Sequence, residues 1–266
     1  MPKVEISALK VYPIKSCRPL NPTSCKVAKR GLEHDRRWMV VDMDDTFMTR
    51  REIPEMAKIG FTLEGDRVVL SKDGLPNLAA HRNPEGASAR VRVWRSITTG
   101  KYVSSEVDRW LTKALGRDCR LVYMPEAARR KINPLFNTGK DLVGFADGYP
   151  ILIASEESLE DLNGRLDSKL TIDRFRPNIV IRGCAPFAED TWKRIRIGDV
   201  VLRATRPCIR CLVTTQDPQS GSPLGPEPLK TLATYRKVEG GVIFGMYYVP
   251  EQLGTISIGD PVDIEA

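Results

Sequence analysis

The 266-residue sequence predicts a mostly β protein with a few helices, an α+β fold in two domains. Three observations predict it. Gly and Pro number 20 and 19 and punctuate the chain at short intervals, as many short strands require. Apolar residues recur at period two in most segments, and only three segments carry a helical period. The composition, 41% hydrophobic and 28% charged, is that of a globular chain and excludes collagen, coiled coil and disorder.

The elements follow in order. Val4, Ile6 and Ala8 alternate, and the phase then slips to Leu9, Val11 and Pro13, which predicts a bulge or kink in the first strand. Trp38–Asp42 reads as a strand closed by the turn Asp42-Met43-Asp44-Asp45. Phe61–Leu63 and Val68–Leu70 flank Gly65-Asp66, a hairpin signal. From Leu75 to Gly100 the pattern weakens, with one basic strand expected at Arg90–Trp94. A soft boundary after this region divides the chain into a β-rich domain over 1–104 and a larger one over 105–266.

Ser105 caps a helix with Val107, Trp110, Leu111, Ala114 and Leu115 on one face, stopped by Gly116. Ser155 caps a second, with Leu159, Leu162 and Leu166 inward, and Pro228 opens a third through Leu229, Leu232 and Ala233. The rest of the second half reads as strands at Tyr149–Ala154, Asn178–Ile181, Arg194–Ile197, Val200–Arg203, Cys211–Thr215, Val242–Val249 and Thr255–Ile264. Many short strands with a few helices suggest a barrel-like body.

Charge and cysteine content narrow the function. The 41 Lys and Arg exceed the 34 Asp and Glu, for a net +7, but they are scattered and accompany no nucleic-acid motif, so no nucleic-acid partner is expected. The longest uncharged apolar runs, near Tyr149–Ala154 and Val242–Pro250, fall well short of the ~20 residues that span a bilayer, and no signal peptide is visible. No membrane association is expected. Six Cys at uneven spacing make no disulfide scaffold, which points to reduced thiols in the cytoplasm. Two His exclude a His-rich zinc site. Phosphate-binding loops of the Gly-rich types and the Gly-x-Ser-x-Gly elbow are absent.

Three motifs carry chemistry. Pro207-Cys208-Ile209-Arg210-Cys211 holds a Cys-x-x-Cys pair. No second pair completes a zinc site, and the β-branched residues after Cys211 place the pair beside a strand rather than at the helix N-terminus that a thioredoxin-type dithiol needs. A single thiolate ligand for a soft metal and two buried structural thiols both stay open, and Arg210 beside Cys211 favours the thiolate. Tyr12-Pro13-Ile14-Lys15-Ser16-Cys17 sets an ammonium and a hydroxyl just past a strand, a pairing that can grip phosphate. Asp35-Arg36-Arg37-Trp38, Arg50-Arg51 and Arg174-Phe175-Arg176-Pro177-Asn178 each set an Arg at a strand mouth, where it can read a large anionic ligand or be a solvated surface charge.

Taken together in this order, these segments resemble the MOSC family with its N-terminal β-barrel domain, nearest its amidoxime-reducing branch. Gly31–Trp38, Thr49–Arg51, Gly198-Asp199, Thr214–Gly221, Pro228–Leu232, Phe244-Gly245 and Gly259-Asp260 extend the resemblance over essentially the whole chain. It implies a β-barrel MOSC core behind a smaller β-rich domain, and a molybdenum cofactor of the molybdopterin type. Cys211 is then the metal ligand and Cys208 an accessory residue. Lys15, Ser16 and Arg36 match positions that hold the cofactor's phosphate and pterin end, and Arg51, Arg176 and Asn178 fall in matching motifs. Asp147 matches an acidic residue near the metal, where it would position substrate or carry a proton; read alone it is a turn residue before a strand.

The implied activity is reduction of small N-hydroxylated compounds: amidoximes, hydroxylamines and N-oxides. Relatives carry a membrane anchor or a C-terminal ferredoxin domain that this sequence is expected to lack, and it has no four-Cys iron–sulfur spacing. Electrons are therefore expected from a separate protein, ferredoxin-like or cytochrome b5-like with a reductase. Two other activities fit the same groups: a sulfurtransferase carrying a persulfide on Cys211, and a non-enzymatic cofactor carrier.

Overall fold

In a computed structural model, which describes residues 3–265, the longest sheet joins both ends of the chain. Its strands run in the order β1 (Glu5–Leu9), β12 (Ile179–Arg182), β11 (Ile151–Ser155), β16 (Gly241–Gln252), β14 (Val200–Ile209), β13 (Arg194–Ile197) and β18 (Asp263–Glu265), with β15 (Lys237–Val238) on the end of β16. All pairs are antiparallel except β11 with β12. Ile6, Ile153, Ile181, Ile195 and Tyr248 fill its core. The phase slip in the first strand appears as a register shift between Ile6 and Ala8.

A second sheet orders β4 (Trp38–Val41), β10 (Arg120–Tyr123), β9 (Ser96–Tyr102) and β8 (Ser88–Val93). β5 (Gly60–Glu64), β6 (Arg67–Ser71) and β7 (Leu78–His81) form a third, and β17 (Gly254–Ser257), β2 (Ser24–Ala28) and β3 (Gly31–Leu32) a fourth. The fold is mostly strands with three α-helices. α1 (Ser105–Leu115) is capped by Ser104, one residue before the expected cap, because the Ser104 hydroxyl accepts from Val107 N, and it ends at left-handed Gly116. α2 (Glu156–Asn163) is capped by Ser155, and α3 (Leu229–Tyr235) follows Pro228. Leu166 lies past the end of α2 but still packs beside Leu162.

Three sequence expectations are corrected. The weak region 75–100 holds three strands rather than one, because β7 is half exposed and alternates small residues. Thr255–Ile264 is two strands divided by a turn at Gly259 (φ +88°). Cys211–Thr215 is no strand. It coils into a short 3-10 turn at Leu212–Thr215, where the Thr214 and Thr215 hydroxyls bond back to the carbonyls of Cys211 and Leu212.

The elements on either side of residue 104 are interleaved. α1 packs its Val107 and Leu111 with Trp38, Met56 and Val68 of the N-terminal part, and β10 pairs with β4 and β9. β1 pairs instead with β12, and β17 with β2. This exchange clamps the segment Tyr12–Cys17 between the two halves. Lys15 N donates to Trp38 O (2.9 Å), Trp38 N to Pro13 O (3.0 Å), and the buried Trp38 ring packs on Phe61 and Tyr123.

Residues 144–147 meet the 35–36 loop at main-chain contact. Phe145 N donates to Arg36 O (2.7 Å), and a Cβ on Gly144 would stand 2.8 Å from that same oxygen. Neither backbone can retreat without breaking this bond, and Arg36 is held besides by its own N–H donating to Tyr12 O (2.8 Å). Gly144→Ala is expected to cost about 1–3 kcal/mol, seen as a lower midpoint in denaturant unfolding with unchanged slope.

Candidate active site

Where β4, β11, β12 and β14 converge, one cleft opens, and all eight residues expected at a site line it: Lys15, Ser16, Arg36, Arg51, Asp147, Arg176, Asn178 and Cys211. The first four come from the N-terminal half and the last four from the C-terminal half.

The Arg36 side is built on a buried carboxylate. Asp35 accepts from Tyr12 N (2.8 Å), Asn178 Nδ2 (2.9 Å) and Arg36 Nη1 (2.6 Å), so it ties three separate segments together. Asn178 is 1% exposed, and its amide donates to Asp35 and Lys10 O while accepting from Arg36 Nη1 and Leu152 N. All four of its hydrogen-bond positions are taken within the protein, so it braces Arg36 and has none left for a ligand. Burial works against the Arg36 charge, but Asp35 outweighs it and holds the guanidinium above its ordinary value. Arg36 and Arg176 both lie over the Tyr12 ring, at 4.3 and 4.1 Å from its centroid.

Of the cations that line the cleft, Arg176 makes the fewest hydrogen bonds within the protein. Its guanidinium makes one hydrogen bond among the described residues, to Cys17 O (3.0 Å), and no ion pair. The Ser16 hydroxyl makes none. Ser16, Arg36 and Arg176 all hold left-handed backbones, with φ of +72°, +46° and +54°. Side-chain-bearing residues adopt this region at a cost of about 1–3 kcal/mol each, and such strain clusters at ligand sites.

The opposite side holds Asp147 and the thiols. Lys15, itself buried, forms an ion pair with Asp147 Oδ1 and donates to Phe145 O (3.0 Å). Arg51 Nη2 reaches Asp147 Oδ2 (3.2 Å) and Cys211 Sγ (3.3 Å), and Trp94 Nε1 donates to Asp147 Oδ1 (3.0 Å). The Asp147 side chain is ringed by protein yet 48% exposed, as befits the mouth of a cleft. The ring of protein opposes its ionisation, but Lys15 and Arg51 overcome this and hold the carboxyl well below the usual range. Asp147 is therefore an anion at neutral pH, a hydrogen-bond acceptor at the mouth of the cleft. Burial pushes the Lys15 ammonium below its ordinary value, with Asp147 offsetting part of that.

The Arg210 charge acts on Cys211, as its place in the sequence suggests, but its hydrogen bond goes elsewhere. Its Nη1 donates to Cys208 Sγ (2.7 Å), because residues two apart on an extended strand share a face and Cys211 has the other parity. Cys208 is 2% exposed, whereas Cys211, beyond the end of β14, is partly exposed to the cleft.

Several working residues had little sequence signal. Arg50 points away from its neighbour Arg51 and bonds Gln216 Oε1 (3.0 Å) and Asp217 O (2.7 Å), binding the two halves together. Arg174 donates to Thr214 O (2.6 Å) and fixes the turn after Cys211. Arg130 donates to the carbonyls of Gly144, Ala146 and Asp147. Tyr149 and Tyr247 stack at 4.9 Å and form an aromatic wall. Arg50 and Arg174 belong to the Arg50-Arg51 and Arg174–Asn178 motifs, whereas Arg130 and Trp94 carry no signal beyond that of ordinary basic and strand residues.

The MOSC N-terminal beta barrel domain profile matches residues 3–118, and the MOSC domain profile matches 140–263. Mitochondrial amidoxime-reducing component 1 of Mus musculus is 36% identical over 276 residues, covering 97% of this chain and 81% of the relative. The chain belongs to the MOSC family, with the amidoxime-reducing components. Two further relatives agree. The Homo sapiens component 1 is 36% identical over 278 residues, and the Bos taurus component 2 is 34% identical over 276; each match covers 97% of this chain and 82% of the relative. The cleft of this MOSC chain draws on both matched regions.

Asp147→Asn leaves Lys15 and Arg51 facing each other without an anion. Since the Asp147 pKa is depressed in the folded state, its contribution is present above the ordinary carboxylate range and fades as pH falls through and below it. The variant is expected to melt below wild type by a constant margin from pH 5 to 8, the margin closing only near pH 3 and below; melting curves across pH check this.

Proposed function

We propose that the cleft binds a molybdenum–molybdopterin cofactor and that the protein reduces N-hydroxylated compounds such as amidoximes, hydroxylamines and N-oxides. The observation that carries this reading is Cys211, a thiol open to a cleft that gathers Lys15, Arg36, Arg50, Arg51, Arg176 and Arg210 against only Asp147 and the buried Asp35. Family membership with proteins named for amidoxime reduction supports it.

The residues present suit that group. Arg176, with one protein hydrogen bond, and Ser16, with none, are free to take the phosphate, and Arg36 is braced to meet the pterin end. The Nε of Arg210 is buried without a partner beside the cleft. Cys211 supplies the sulfur, and Arg51 at 3.3 Å favours its thiolate form. A molybdenum already held by dithiolene sulfur accepts a further thiolate and supplies two-electron oxygen-atom acceptance.

The chain's own residues handle the substrate and protons. Removing oxygen from an N–OH group takes two electrons and two protons and releases water. Asp147, an anion, orients the substrate's N–H or O–H donors. The Lys15 ammonium holds a proton beside Asp147 Oδ1, and burial makes it a stronger acid than a free lysine, suited to pass that proton toward the cleft. The electrons come from a separate carrier protein, ferredoxin-like or cytochrome b5-like with its reductase. All six Cys are free thiols, in keeping with a cytoplasmic setting, and no helix among the described residues is long and apolar enough to cross a membrane. On the same footing we divide the chain after β10 rather than at residue 104, since α1 and β10 pack with the N-terminal sheets.

The purified protein is expected to contain molybdenum by elemental analysis and a fluorescent oxidised pterin. Cys211→Ala should lose the metal, while Cys208→Ala keeps at least part of it; equal metal in Cys211→Ala and wild type would sink the assignment. A persulfide on Cys211 in pterin-free protein would favour sulfur transfer instead. Ser16→Gly is expected to raise stability by about 1 kcal/mol by relieving its left-handed backbone, while reducing pterin retained through gel filtration.

A further inference from the structure

Trp94 occupies a position that turn chemistry does not favour. β8 and β9 form a hairpin in which Val93 pairs with Ser96, leaving Trp94 and Arg95 as a two-residue turn. Such turns prefer Asn or Gly where φ is positive, yet Trp94 stands there at φ +54°. It is also 45% exposed, while Trp38, Trp110 and Trp192 are buried. A large aromatic ring is thus held partly in water on a strained backbone, without the burial that usually stabilises such a residue.

Its polar contacts point to the cleft. The indole N–H donates to Asp147 Oδ1 at 3.0 Å, and the Arg51 guanidinium lies 4.8 Å from the ring centroid. Phe47 packs against the ring at 4.7 Å with a 54° tilt and supports it from within the fold. Asp147 and Arg51 line the cleft with Cys211, and Trp94 stands just outside them as the rim.

We propose that Trp94 is a specificity-determining residue: its indole forms the entrance wall and favours substrates whose N-hydroxylated group is conjugated to a flat aromatic ring. Such a molecule can present its N–OH end past Asp147 while its ring stacks on the exposed indole; an aliphatic analogue gains only the first contact. This rests on the proposed reductase reading and names its substrate class. An offset or edge-on aromatic pair contributes about 0.5–1.5 kcal/mol beyond burial, equivalent to roughly a two- to twelvefold change in affinity.

The test compares benzamidoxime with acetamidoxime on wild type, Trp94→Phe and Trp94→Ala, using a chemically reduced viologen as electron source. Trp94→Ala should raise KM for benzamidoxime about three- to tenfold and leave KM for acetamidoxime within twofold, with kcat little changed. Trp94→Phe, which keeps a ring but loses the N–H to Asp147, should retain most of the preference. Independently of turnover, benzamidoxime should saturably quench the exposed tryptophan emission of wild type, and the quenched component should be missing in Trp94→Phe. Equal KM shifts for both substrates, or a common loss of kcat, would overturn the proposal, as would quenching that survives in Trp94→Phe. Failure of wild type to reduce either compound would instead count against the reductase reading, and the quenching titration still decides whether Trp94 meets the aromatic ligand.

Discussion

The buried Asp35 carboxylate organises the cleft. By taking the Tyr12 main-chain N–H, the Asn178 amide and the Arg36 guanidinium, it joins the segment after β1, the loop before β4 and the start of β12. A buried carboxylate is costly unless its lone pairs are met, so these three segments are stable only in one relative placement. That placement sets Arg36 and Arg176 on the Tyr12 ring and leaves Ser16 with its hydroxyl free. The rest of the cleft depends on it.

Around this anchor the fold concentrates like charge. Lys15, Arg36, Arg50, Arg51, Arg176 and Arg210 share one cleft, and each is restrained by a carboxylate, a sulfur or main-chain carbonyls, Arg176 by the single carbonyl of Cys17. Left-handed backbones at Ser16, Arg36 and Arg176 add strain at the same place. Repulsion and strain both weaken the free protein, and an anionic ligand would relieve the repulsion, which is the usual physical signature of a site built for binding rather than for stability.

Much of the fold was legible because its signals are local. The phase slip at residues 6–9 marks a real register shift, Ser155 and Gly116 bound their helices through hydrogen bonds within four residues, and Pro228 opens its helix through its fixed φ. The misread elements lack such signals. Cys211–Thr215 has strand-forming residues, but the Thr hydroxyls satisfy the local carbonyls in a 3-10 turn. The region 75–100 hides three strands because half-exposed strands carry little apolar alternation. Within the site, Asn178 was read as a ligand contact because sequence cannot show that its amide is already saturated.

By itself the sequence determined the chemical inventory: one Cys-x-x-Cys, a Lys-Ser pair past the first strand, Arg residues at strand mouths, and motifs whose order carries a family resemblance. Those follow from residue type and spacing alone. Only the tertiary structure decided which groups face one another. Arg210 gives its hydrogen bond to Cys208, and Arg51, 160 residues away, reaches Cys211; Asp147 is kept ionised by Lys15 and Arg51; and Trp94 reaches the cleft from a hairpin tip. The reason is that charge state and hydrogen-bond partnership depend on through-space distance and burial, and pairing β1 with β12 and β17 with β2 brings together residues that no local pattern connects.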